Sequence, residues 1–180
     1  MDQSRQNLAA PRDNRGWTSG VVIVHASPRA LLSHVSWAIG EALGADVDLD
    51  WTEQPAAVGS WRSALEFQAS LGSAARVVSR LGKWPSLRLE ISEQQTPTSD
   101  GMRYLVVPGL GLHAARIGSC GDTLVGEDAL RAAIADGVTD GRRLVDVVDE
   151  ALGGPWDRDL ERYRLAADGS TVRWLDARTG

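Results

Sequence analysis

Cysteine is almost absent from the chain. The single residue, Cys120, excludes an internal disulfide and fits a reducing compartment. No apolar run approaches membrane-spanning length, and residues 1–19 lack the apolar segment of a signal peptide. A cytoplasmic protein with no membrane partner is therefore expected. Blocks of like charge are missing too, and the net charge is −5, which argues against a nucleic-acid partner that reads charge. There is no Gly-x-Ser-x-Gly elbow and no phosphate loop. Phenylalanine occurs once, against seven tryptophans. Indole is large and carries one N–H, so it is favoured where apolar surface meets a polar site or an interface.

What is present is the pattern of one ordinary globular domain. The chain has 180 residues, 43% of them hydrophobic and 24% charged, enough for a sizeable core. Residues 1–19 are polar and aperiodic and read as a disordered arm, leaving 20–180 as a single α+β domain. The domain opens on Val21–Val24, a continuous β-branched run that suits a strand buried on both faces. Ser27 and Pro28 offer a helix N-cap and first position, and Leu31, Val35, Ala38, Ile39 and Ala42 recur as one apolar stripe ending at Gly44. Trp37 falls almost opposite that stripe, so something should cover it.

Alternation then predicts a second strand, with Val47, Leu49 and Trp51 on one side and Asp46, Asp48 and Asp50 on the other. A third follows from Trp61 to Ala69. A helix over 72–83 carries Ala74, Val77, Val78 and Leu81, and a fourth strand has Leu87, Leu89 and Ile91 inward with Arg88 and Glu90 outward. The order βαββαβ over 20–93 is that of a ferredoxin-like unit, whose second face stays open unless something covers it. The half from 94 to 180 predicts strands over 102–107 and 110–117 in a hairpin. Helices follow over 127–135, closed by Gly137, and over 142–152, with a stripe of Leu144, Val145, Val148 and Leu152. A helix opened by Pro155 and a last strand over 171–175 complete the chain.

Several of these stretches together resemble an actinobacterial family known as domain of unknown function 3145. They are Val24 to Leu31 (VHASPRAL) with His34, Trp37 and Ala38, then Leu49 to Ala56 (LDWTEQPA). Gly121 to Ala132 (GDTLVGEDALRA), Pro155 to Arg164 (PWDRDLERYR) and Val172 to Leu175 (VRWL) complete the set. The likeness spans about 20–175 and brings no activity with it. Relatives carry cysteine and proline before the helical histidine where this chain has Leu32 and Ser33, so chemistry built on that cysteine cannot operate here.

Candidate chemistry is sparse. His25, His34 and Glu41 suggest a His–His–carboxylate metal site, but a nine-residue gap across a turn is no zinc spacing, and no metal or cofactor is expected. Asp46, Asp48 and Asp50 open like a calcium loop, yet Trp51 and Ala57 stand where glycine and glutamate are needed, and an edge strand's solvated face explains them better. Gly109 and Gly111 mimic a dinucleotide fingerprint without the helix it requires. Cys120 has no adjacent base to depress its pKa.

The expected function is a non-catalytic binding or regulatory module, monomer or homodimer, with a tryptophan-rich surface that holds a protein or a small molecule. His25, His34, Trp37, Glu41, Trp51, Gln54, Trp156 and Asp157 are its candidate residues. His34, Trp37 and Glu41 share one helix side. Trp156 and Trp174 are expected to cover Trp37 from within, which would leave as accessible site the rim where His34 and Glu41 meet the loop 52–59; a partner or a second copy of the chain is the alternative cover. The alternative is an enzyme with a site gathered around His25 and His34.

Overall fold

The β-branched run grows in both directions into a long strand, β1 (Trp17–Pro28), in a computed structural model that describes residues 16–167. Residues 17–19, expected in the arm, are part of the sheet: Trp17 pairs with Ser70 and the Thr18 hydroxyl donates to the Gln94 carbonyl at 2.8 Å. The rest of the arm and the expected strand over 171–175 lie outside the described residues. Ser27 and Pro28 do not cap a helix. Pairing with Trp61 and Ser60 keeps them extended, and α1 (Leu32–Leu43) begins only after a single 3-10 turn at Arg29–Leu31. Gly44 ends α1 with φ at +70°, a conformation that costs other residues about 1–2 kcal/mol.

The next segment keeps its alternation but not its ladder. Leu49 is buried, Val47 and Trp51 are partly buried against the core, and Asp46, Asp48 and Asp50 are exposed. Only β2 (Thr52–Glu53) is a strand, paired with Arg62 and Trp61. The residues before Thr52 pack their apolar side chains on the core without a partner strand, so the expected second strand shrinks to β2. Then come β3 (Ser60–Ser70), α2 (Ser73–Leu81), β4 (Arg88–Glu93), β5 (Gly101–Val107), β6 (Gly111–Ile117) and β7 (Thr123–Leu124). All the pairings are antiparallel, and the described residues form one mixed α and β structure on a seven-stranded sheet of order β2-β3-β1-β4-β5-β6-β7.

One face of the sheet carries the main core. Val22, Val24, Leu89 and Ile91 meet Val35, Ile39, Val77 and Leu81 from α1 and α2, all buried. The stripe Ala74, Val77, Val78 and Leu81 is buried throughout. Glu93, on the same face of β4, accepts the backbone N–H groups of Gly72 and Ala74 at 2.7 and 2.9 Å and so caps α2 from the sheet.

The C-terminal helices are α3 (Glu127–Thr139), α4 (Leu144–Ala151) and α5 (Gly154–Ala167). Gly137 does not close α3. It sits inside the helix, where any Cβ would collide with Val147, so its small size lets α4 approach. The stripe expected on α4 is also wrong: Leu144, Val145 and Leu152 are exposed, and Val147 is the buried residue, because Gly137 sets the seam. α5 lies on the second face of the sheet, where Leu160 meets Leu105 and Val107 and Trp156 packs beside them. No helix among the described residues is long and apolar enough to cross a membrane.

Candidate functional site

Strand parity decides what lies under α5. Ile23 pairs with Glu90, Glu90 with Leu105 and Leu105 with His113, so these four share the face away from α1 and α2. Glu90 is therefore turned out of the main core, as its alternation predicts, but it is not in water: it is 1% exposed. The register of β1 shifts between Val24 and Ala26, and His25 at that bulge places Nε2 3.0 Å from Glu90 Oε2. A carboxylate only accepts, so Nε2 carries the proton.

Two arginines complete the shell. Arg103 of β5 donates from Nε and Nη2 to Glu90 Oε1 at 3.0 and 2.7 Å, and Arg164 of α5 donates from Nε and Nη2 to Oε2 at 3.2 and 3.0 Å. The same two guanidinium groups reach Asp157 of α5, each through an Nη2 that is 2.8 Å from Oδ1. Glu90 and Asp157 balance Arg103 and Arg164 in a closed ring of charge. Burial alone would raise the Glu90 pKa. The hydrogen bond from His25 and the charges of Arg103 and Arg164 outweigh it and hold the carboxyl well below the ordinary range.

Gln54 ties a loop to this cluster. Buried, it donates from Nε2 to the His25 carbonyl at 2.7 Å and to the Tyr163 carbonyl at 3.5 Å, while its Oε1 accepts the Ala56 N–H. Next to the ring, the Trp156 indole donates to the Gly111 carbonyl at 3.0 Å and lies 5.0 Å from the His113 ring. His113 Nε2 is buried without a partner among the described residues, and burial, then the charge of Arg103, lowers its pKa against the opposing pull of Asp157. Gly153 presses on that imidazole; its φ is +85° and a Cβ would come within 2.8 Å of Nε2.

The structure thus gathers His25, Gln54 and Asp157, with Trp156 beside them, and adds Glu90, Arg103, His113 and Arg164. His34, Trp37 and Glu41 stand elsewhere, exposed on α1 across the sheet. Trp51 joins neither group fully: it packs partly on the core and its indole N–H donates to the Ser36 hydroxyl at 3.3 Å. The expected cover of Trp37 by Trp156 is absent, because Trp156 is engaged on the opposite face; Trp174 lies outside the described residues. Trp37 is 63% exposed. No residue of the loop 52–59 lines the cleft that Trp37 borders, which has a volume of about 490 Å³ and includes Ser36, Glu41, Gly44, Asp46 and Val47.

Glu90 and Arg103 escaped the sequence reading because alternation names a second face without saying what covers it. The signal that could have found them was β1, apolar on both sides. Cys120 is exposed in the turn between β6 and β7, and a strand, not a helix, follows Gly109 and Gly111. Among the described residues no three of His, Cys, Asp and Glu are grouped to hold a metal.

The chain belongs to the family described as protein of unknown function (DUF3145), which matches residues 21–177. No curated protein and no solved structure matches it.

Proposed function

We propose that this protein is a non-catalytic binding module whose working surface is the outward side of α1 around Trp37. The observation that carries the reading is a contrast of exposure: Trp37 is 63% exposed, while Glu90 is 1% exposed. Glu90 accepts five hydrogen bonds, from His25, Arg103 and Arg164. Its carboxyl is held ionised far below neutral pH, which makes it a weak proton acceptor for catalysis at pH 7. Every charge in the ring is matched inside the protein. That arrangement serves to seat α5 rather than to turn over a substrate.

The enzyme alternative asks His25 and His34 to share a site. Their placement on opposite sides of the sheet weighs against it. We read residues 17–93 as a ferredoxin-like unit, supported by the order β2-β3-β1-β4 with α1 and α2 on one face, extended at one edge by β5–β7. A reduced, cytoplasmic setting accords with the free thiol of Cys120.

Sedimentation of the tagged chain in extract of its native cells tests the proposal. A complex heavier than the monomer should form with the wild type and dissolve with Trp37→Ala. A complex that survives Trp37→Ala unchanged contradicts it.

A further inference from the structure

We propose that the surface around Trp37 docks a basic, extended segment of a partner protein, with a lysine or arginine side chain seated on the indole. This inference rests on the reading of α1 as the docking face and adds the chemistry of what docks. An exposed indole face attracts a cation through its ring quadrupole, and among aromatic rings tryptophan does so best. Glu41 follows Trp37 by one turn, and Asp46 borders the same cleft. The cleft also receives the C-terminal end of α1, the negative pole of the helix, where the only side-chain donor among the described residues is Arg76, whose Nε donates to the Ala42 carbonyl at 3.0 Å.

Among the described residues the carboxylates there are unspent, and no lysine or arginine borders the cleft. Among the described residues none pairs with Glu41, Asp46, Asp48 or Asp50. The acids packed around α5 behave differently: Glu90, Asp149, Asp157 and Asp159 each hold an arginine. A cation that arrives at Trp37 therefore meets carboxylates that no arginine or lysine among the described residues already holds.

Spacing favours a polypeptide over a small ion. Asp46, Asp48 and Asp50 are exposed, with Val47 half-buried and Leu49 buried between them, which is the alternation of an extended backbone. Alternate residues on such a segment stand about 6.6 Å apart, so the row runs about 13 Å from first to last. One small quaternary amine fills the indole and leaves that row unanswered. The outward side chains of an extended basic segment have the same repeat. Laid along the row, that segment would lead from Trp37 to β2, the outer strand of the sheet.

Titration calorimetry with a ten-residue peptide of alternating lysine and serine, at about 50 mM salt, is the test. The peptide should bind the wild type, and Trp37→Ala should weaken it about 3- to 30-fold, the range a cation on an indole supplies. Glu41→Gln with Asp46→Asn should weaken it severalfold and flatten its salt dependence. The matching glutamate peptide should not bind. Equal affinity for Trp37→Ala, or binding of the glutamate peptide, overturns the inference. Full displacement by choline overturns it as well, in favour of a small cation. The sedimentation result separates the two proposals. If Trp37→Ala dissolves the native complex while the lysine peptide fails to bind, the partner chemistry is wrong and the docking face stands; if neither effect is seen, both fall.

Discussion

Between the sheet and helices α1 and α2 the contacts are those of an apolar core, with Val35, Ile39, Val77 and Leu81 set against Val22, Val24, Leu89 and Ile91. Between the sheet and α5 the apolar cluster is smaller, Leu160 with Leu105, Val107 and Trp156, and beside it lies a ring of arginines and carboxylates closed by His25. Apolar packing is proportional to area and forgiving of direction. A buried ion ring is neither: its desolvation cost offsets much of its attraction, yet breaking one member strands the others. The first layer supplies stability, and the second fixes where α5 must sit.

The largest effect should come from stranding the ring. Glu90→Ala leaves two guanidinium groups facing an empty site and should cost about 3–5 kcal/mol in chemical denaturation. Leu81→Ala, fully buried in the other layer, should cost about 2–5 kcal/mol. The two layers part company in acid. The folded-state pKa of Glu90 lies below its ordinary value of 4.5, so its contribution is complete above that value and drains away as pH falls towards the folded pKa. Glu90→Gln should remove that part of the acid slope, and Leu81→Ala should leave it intact. A Glu90→Gln protein with the wild-type slope would mean the ring does not set it.

A smaller effect belongs to the edge of the ring. Gly153→Ala must adopt positive φ and push its Cβ onto His113, at a cost of about 1–2 kcal/mol for the conformation alone. The denaturation midpoint measures it. His113 adds a second signature: its pKa is lowered in the fold, so stability should fall as pH drops below the ordinary histidine value of 6.5. His113→Leu should flatten the profile in that window. Persistence of the full slope in the variant would place its origin elsewhere.

The apolar layer was largely legible in the sequence and the charged one was not. Periods of two and of three to four mark which side chains share a face, and they mark Ala74, Val77, Val78 and Leu81 and the strand over 60–70 well. Periodicity is silent about partners. Asp46, Asp48 and Asp50 alternate without a ladder beside them, and Ser27 has the chemistry of a cap but is held in β1 by Trp61. Glu90 looks like any solvated strand residue until a helix more than sixty residues later lies over it. The seam of α3 and α4 was misplaced for a related reason, since the absence of a side chain at Gly137 decides it.

The central claim is that the molecule works through the α1 side and keeps the α5 side closed. Photo-crosslinking in native cells tests it most directly, with the reactive residue placed at Ser33, one turn before Trp37 on α1, in one variant and at Glu161 of α5 in another, both exposed positions. The account predicts one discrete heavier adduct from position 33, lost when Trp37→Ala is added, and none from position 161. An adduct from position 161 alone, or one from position 33 that Trp37→Ala leaves untouched, would contradict it.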